Sequence, residues 1–313
     1  MLSANEEYAW SILYENENGE IHAEPLKAEL NREVGKRISS ILKKEVNFHK
    51  PDVVVHIDLK KDEVRIHPRS VFIKGRYRKL VRGFPQTRWP HRVCRGRGCE
   101  ECGFTGKQYP ESVDELVSKR VIEEFKAEDT VFHGAGREDI DARMLGRGRP
   151  FVLEVIKPRK RKIDLKWLEK EINEYCTGKV EVIGLEYAER EDVLHVKSIK
   201  PPKIYRVRVE FEKEVERREV EEALQKLKDT VIFQRTPKRV LHRRADLIRE
   251  RRIMNTKLVS HQGREAVIEI EAESGTYIKE LVSGDEGRTS PSLSELLGLE
   301  ARVIELDVLE VLV

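Results

Sequence analysis

Long apolar runs are missing from this chain of 313 residues. Nothing in it approaches the roughly 20 consecutive apolar residues that a helical membrane span needs. The opening "MLSANEEYAWS" has neither the basic start nor the apolar centre of a signal peptide. A cytoplasmic protein without membrane association is therefore expected. Cysteine is scarce: of four residues, three crowd into 94–102, which excludes the dispersed framework of a disulfide-stapled secreted domain. No P-loop occurs, and "GRGRP" at 146–150 lacks the feeding strand of a dinucleotide fingerprint, so no nucleotide cofactor is expected. The largest gap is in charge. Residues 65–99 hold eleven Lys or Arg and no Asp or Glu.

Self-repulsion in such a run has to be offset by a polyanion or by a distant acidic face. Two more basic clusters follow, "KPRKRK" at 157–162 and a segment at 235–257 with nine basic against two acidic residues. Charged residues make up 37% of the chain, well above the usual quarter. Nucleic-acid binding is the reading this pattern favours. The length suits two domains. In the first, "EPLKAELNREVGKRISSILKK" spaces Leu26, Leu30, Val34, Ile38 and Leu42 as a helix does, and "DVVVHIDLKKDEVRIHPRSVFIKG" reads as short strands. After the cysteine-bearing stretch, Ser112 and Glu115 form a capping-box pattern at the head of an amphipathic helix. Strand patterns then dominate, interrupted by helical ones at 164–176 and 213–228. The expected fold is α+β: an accessory unit over 1–105, then a domain over 106–313 built on a mixed, mainly antiparallel sheet.

One segment looks made for chemistry. "HGAGREDIDARMLGRGRP" at 133–150 sets Glu138, Asp139 and Asp141 beside Arg137, Arg143 and Arg147, with few residues able to fill a core. A neighbouring arginine keeps a carboxylate ionised, and flanking glycines let a bulky substrate approach the backbone. An ionised aspartate can serve as nucleophile or base. A surface ion-pair loop would have the same spacing.

The residues Gly136-Arg137-Glu138-Asp139 resemble the Gly-Arg-x-Asp element of pseudouridine synthases. The longer "AGREDIDARMLGRGRPF" resembles that of the archaeal and eukaryotic tRNA pseudouridine synthases of the Pus-ten family. "RGFPQTRW", "CEECGFTGKQYPESVDELV", "KIYRVRVEF", "RTPKRVLHRRADLIRERR" and "SGTYIKELVSGDEGRTSPSLSELLG" agree in order and distance. The basic strands before them resemble a THUMP-type RNA-binding module. This resemblance implies an isomerase that turns uridine into pseudouridine in the tRNA T-arm, at positions 55 and 54, without a catalytic cofactor. Asp139 would be its catalytic aspartate, with Asp141 as rival. Tyr205 would pack on the flipped base, although an aromatic at a strand start is more often core. Lys279 in "GTYIKEL" would pair with the aspartate, and strand alternation would bring Tyr277 to the same cleft as Lys279. Arg137 would contact substrate.

"HRVCRGRGCEEC" spaces His91, Cys94, Cys99 and Cys102 as two knuckle-like pairs. Four borderline-soft ligands in a short loop suit a tetrahedral structural Zn²⁺; a metal-free basic loop is the alternative. Cys176, alone in a helical pattern, reads as packing. A monomer acting on tRNA is expected. The rival of another class is a zinc-containing tRNA-binding protein without catalysis.

Overall fold

The computed structural model describes residues 11–15 and 21–313. They fall into two units, Met1–Arg69 and Ser70–Val313. In the first, β1 (Ser11–Glu15) pairs antiparallel with β2 (Ile21–Pro25), α1 spans Leu26–Leu42, and β3 (Val53–Asp58) pairs antiparallel with β4 (Glu63–Pro68). Among the described residues, the helix expected from Leu26 to Leu42 is present and a hairpin precedes it. The expected boundary at 105/106 moves to 69/70 for a plain reason. The next strand, β5 (Val71–Lys79), hydrogen-bonds on both sides into the large sheet of the second unit.

That second unit continues with α2 (Val113–Phe125), β6 (Asp129–Gly134), β7 (Ala142–Ile156), α3 (Leu165–Tyr175), β8 (Val180–Ala188), α4 (Arg190–Ser198) and β9 (Lys203–Phe211). It closes with α5 (Arg217–Leu227), β10 (Thr230–Arg235), β11 (Ile248–Gln262), β12 (Glu265–Ala272), α6 (Ile278–Ser283), β13 (Thr289–Ser290), α7 (Leu293–Leu297) and β14 (Ala301–Val311). Ten strands form one sheet in the order β13-β10-β11-β12-β9-β14-β7-β5-β8, with β6 added on β7. Every pairing is antiparallel except β14 with β7. The α+β architecture with a mixed, mainly antiparallel sheet is as the sequence predicts.

Alternation explains which face is buried. Along β9, Tyr205, Val207, Val209 and Phe211 are buried. Arg206 and Arg208, between them, pair across strands with Glu269 and Glu265. Each fully buried apolar side chain contributes about 1.5–3 kcal/mol, against about 0–1 kcal/mol for an exposed ion pair. The core therefore sets the register and the ion pairs decorate it. Helices α2, α3 and α5 pack Val117, Val121, Leu168, Ile172, Val220 and Leu224 into that core. As predicted, the Ser112 hydroxyl accepts from the Glu115 amide at 3.2 Å and donates to its carboxylate at 2.7 Å, a cap that stabilises a helix by about 1 kcal/mol.

Strand β7 has two different sets of neighbours. Its first residues, Ala142–Met144, run parallel to Leu306–Val308 of β14, while Phe151–Ile156 pair with β6. The loop 135–141 leaves β6 and enters β7 at this change of partner. Met144, Val308, Tyr205 and Ile270 stand in one row across β7, β14, β9 and β12. In this way the sheet brings the aspartate loop near β9, although some 60 residues separate them in sequence.

Candidate active site

Only 135–141 of the segment 133–150 is loop; the rest belongs to β6 and β7. Gly136 turns the chain at φ +79°, and a Cβ there would come within 3.2 Å of the Arg149 guanidinium. The next residues alternate in direction. Arg137 lies over the Trp89 ring, 5.5 Å from its centroid. Glu138 points inward with no side-chain exposure. The Asp139 side chain is about one-third exposed, at 36%.

Glu138 is the centre of a buried polar cluster. Its Oε2 accepts from Tyr77 Oη at 2.8 Å and Arg149 Nε at 3.0 Å, and its Oε1 faces Lys79 Nζ at 4.0 Å. Gln86 Nε2 donates to Tyr77 Oη at 2.7 Å and to the Gly136 carbonyl at 3.0 Å. Lys79 Nζ donates to the carbonyls of Phe84, Asp139 and Ile140 at 3.0, 3.2 and 3.1 Å.

On the open side, Arg239 Nη1 stands 3.4 Å and Lys279 Nζ 3.8 Å from Asp139 Oδ2. Lys279 lies closer to Asp141, at 2.6 Å. Burial resists ionisation of Asp141, but the Lys279 hydrogen bond and charge hold it below the ordinary range. Arg239 comes from a 3-10 turn, Lys238–Arg243, between β10 and β11. Glu280, nearly buried, takes it by Nε at 2.7 Å and Nη2 at 3.3 Å, which leaves Nη1 aimed at Asp139. This fork geometry is the strong form of an ion pair.

Tyr277 and Lys279 do not lie on a strand. Gly275 turns at φ +86° and α6 starts at Ile278, so Tyr277 is its N-cap and Lys279 its second residue. Ile278, Leu281 and Val282 are buried at helical spacing, which overrides the expected alternation. The backbone of Tyr277 is gripped by the buried Gln234 amide through two 2.9 Å bonds. Its hydroxyl accepts from Arg244 Nη1 at 3.2 Å, and the Arg239 guanidinium lies 5.9 Å from the ring centroid. Tyr205 is buried under the loop. Burial pushes its phenol up to about 12, with Arg149 opposing and Asp139 adding to the rise. At neutral pH it is a hydrogen-bond donor and not a phenolate base.

A cleft of about 190 Å³ opens here, its walls including Trp89, Arg137, Asp139, Asp141, Arg239 and Lys279. Tyr205 and Tyr277 are not among its lining residues. Sequence reasoning missed Arg239, Glu280, Lys79, Arg149, Gln234 and Trp89. Arg239 was visible only as one member of a basic cluster, and the buried ions carry no sequence signal of burial. Of the basic clusters, 235–257 gives the cleft Arg239 and 65–99 gives Arg82, which donates to the Asp141 carbonyl at 2.8 Å, while "KPRKRK" follows the far end of β7, away from the aspartate loop.

Beside Trp89, the donor atoms of His91, Cys94, Cys99 and Cys102 all lie within 4.8 Å of one another. The S···S edges Cys94–Cys102 and Cys99–Cys102 are 4.0 and 3.7 Å, and Nδ1 of His91 is 3.7 and 3.5 Å from Cys94 and Cys99. Tetrahedral Zn²⁺ with the usual bond lengths needs edges of about 3.8 Å between sulfurs and about 3.6 Å from sulfur to nitrogen. The donor set fits. Amides of Gly98, Cys99 and Gly106 donate to the sulfurs at 3.3 Å. Desolvation opposes ionisation of Cys102, yet the Cys99 and Gly106 amides bring its thiol down to about 6. A Cβ at Gly106 would lie 2.4 Å from the Gly96 carbonyl, so the reversal requires glycine. The knuckle closes where Gln108 N donates to Trp89 O at 2.8 Å and His91 N to Gly106 O at 2.7 Å. Cys176 is buried and free, as packing requires.

A family model described as "Pus10, C-terminal" matches residues 72–312, and one described as "Pus10 THUMP domain, archaeal" matches residues 1–58. The tRNA pseudouridine synthase Pus10 of Methanothrix thermoacetophila is 54% identical over 290 residues, covering 93% of this chain and 64% of its own. The enzyme of the same name from Archaeoglobus fulgidus is 55% identical over 261 residues, covering 83% of this chain and 72% of its own. The chain thus spans about two thirds of the length of such relatives. Among solved structures, a Cbf5-Nop10-Gar1 complex overlays with a TM-score of 0.39 at 16% identity, over 61% of this chain and 43% of that one.

Proposed function

The chain belongs to the Pus10 family, and from that premise we propose that it isomerises uridine to pseudouridine in the T-arm of tRNA, at positions 55 and 54. The observation that carries this reading is one partly exposed carboxylate, Asp139, set in a cleft between Arg239 and Lys279.

The reaction breaks the bond from uracil N1 to ribose C1′, turns the base and joins C1′ to C5. C5 loses a proton and N1 gains one, so no oxidant, reductant or cofactor is consumed. One carboxylate is sufficient, as nucleophile or as base. Two cations face the Asp139 carboxylate, Arg239 at 3.4 Å and Lys279 at 3.8 Å. Because the target atom is out of reach inside folded RNA, the uridine has to leave its stack first. Tyr205 lies buried beside the cleft and not in its wall, so contact with that base requires the loop above it to shift. Its neutral hydroxyl would then donate a hydrogen bond and not remove a proton. The domain boundary at 69/70 leaves all of these groups on the second unit, while the family match of the first supports RNA binding there.

Incubation with an unmodified tRNA transcript, followed by mass-spectrometric mapping, should place pseudouridine at 54 and 55. Product elsewhere, or none from a correctly folded transcript, would refute the reading. The knuckle is proposed to hold one zinc ion that ties His91 and Cys94 to Cys99 and Cys102. Protein purified without added metal should contain about one zinc per chain. Zinc-free protein in which Cys94, Cys99 and Cys102 all alkylate at once would leave a metal-free loop.

A further inference from the structure

We propose that Lys79 is a positioning residue for this reaction: its buried ammonium fixes the peptide that carries Asp139. The proposal rests on the reading of Asp139 as the catalytic carboxylate.

Lysine is almost never fully buried without strong partners, yet the Lys79 side chain is 0% exposed. Its three N–H bonds have three carbonyl acceptors, one from Phe84 and two from the aspartate loop itself, Asp139 and Ile140. A compact ammonium with three donors suits three converging oxygens, where the planar fork of an arginine does not.

Charge balance does not require it. Glu138 already has Arg149 Nε at 3.0 Å, a pair that is neutral by itself. Lys79 makes two cations to one carboxylate in the cluster, so its role lies in the loop it grips. The open side is loose by comparison. Arg239 and Lys279 approach the Asp139 carboxylate only to 3.4 and 3.8 Å, beyond the range of a good hydrogen bond. The carboxylate therefore stands where its backbone puts it. Lys79, at the end of β5, ties that backbone to the sheet.

Lys79→Met is the test, and two of the three carbonyls that Lys79 holds keep a backbone partner without it. The Asp139 carbonyl keeps the Ala142 amide and the Ile140 carbonyl keeps the Gly83 amide, each at 3.0 Å. The comparator is Tyr77→Phe, which also removes a bond to Glu138 but touches neither loop carbonyl. Lys79→Met should lower kcat about 100-fold, the scale of a misplacement near 1 Å, with tRNA Kd within about twofold. Hydrogen exchange in peptides covering 135–142 should quicken in Lys79→Met and stay unchanged in Tyr77→Phe, whose kcat should hold within a few-fold. An unchanged kcat in Lys79→Met overturns the proposal. So does an equal kcat loss in Tyr77→Phe at matched Tm, which would make the whole cluster a matter of stability. If wild-type protein forms no pseudouridine although Lys79→Met still loosens the loop, it is the functional reading that fails, and the catalytic part of this proposal with it.

Discussion

Asp139→Asn should yield no detectable pseudouridine, a loss of about 10⁴-fold or more for an essential nucleophile or base, while tRNA affinity stays within about twofold. Amide and carboxylate have the same shape, and the contacts on the buried side of Asp139 are to its backbone carbonyl, which the substitution keeps. The informative control is Asp141→Asn. Asp141 holds Lys279 at 2.6 Å, closer than Asp139 does, so its loss frees Lys279 for Asp139 and should leave turnover measurable. If Asp141→Asn is dead and Asp139→Asn active, the catalytic assignment is reversed. Glu138→Gln, which looks like a mild control in the sequence, is not one. It leaves Lys79 and Arg149 as uncompensated buried cations, and breaking a buried pair costs about 3–5 kcal/mol. It should report on Tm before it reports on chemistry.

Arg239→Met should lower kcat by about 10²–10³-fold, the cost of losing one preorganised donor at a charged reaction centre. Glu280→Gln should produce a large part of the same loss, because Glu280 acts by holding the Arg239 fork and has no contact of its own with Asp139. The double variant should be no slower than Arg239→Met alone, since residues that work as a unit do not add. Full additivity in kcat would mean that Glu280 has a separate task. Wild-type kcat in Arg239→Met would remove this arginine from the site.

Much of this arrangement could be read from the residues, and the parts that could not share one cause. Strands with plain alternation, such as β9 and β12, were legible because one face is apolar. Strand β11 was not, because the arginines on it hide the period and mark it as a basic cluster. The acid-free run 65–99 suggested a polyanion, but many of its cations are matched inside the protein. Lys74 pairs with Asp192, Arg78 with Glu181, Arg82 with Asp307 and Arg88 with Asp114. The distant acidic face was the better half of that alternative for these four. Asp139 stood out through its motif. Arg239 could not, since nothing in a run of arginines says which one a buried glutamate 41 residues later will select.

The place of β14 has a consequence for how the protein is made. It is the last strand in chain order, yet it lies in the middle of the sheet. On one side of it β7, β5, β8 and β6 carry the aspartate loop; on the other, β9, β12, β11, β10 and β13 bring Tyr205 and the turn with Arg239. During synthesis the two halves emerge well before the strand that joins them. Until residues 301–311 are free to insert, the carboxylate and its partners belong to separate pieces of unfinished sheet, each with an open edge. Such edges invite mispairing in the nascent chain. The two halves of the reaction centre are joined through this strand, and a chain lacking residues 301–311 would keep nearly every residue named above without the strand that brings them together.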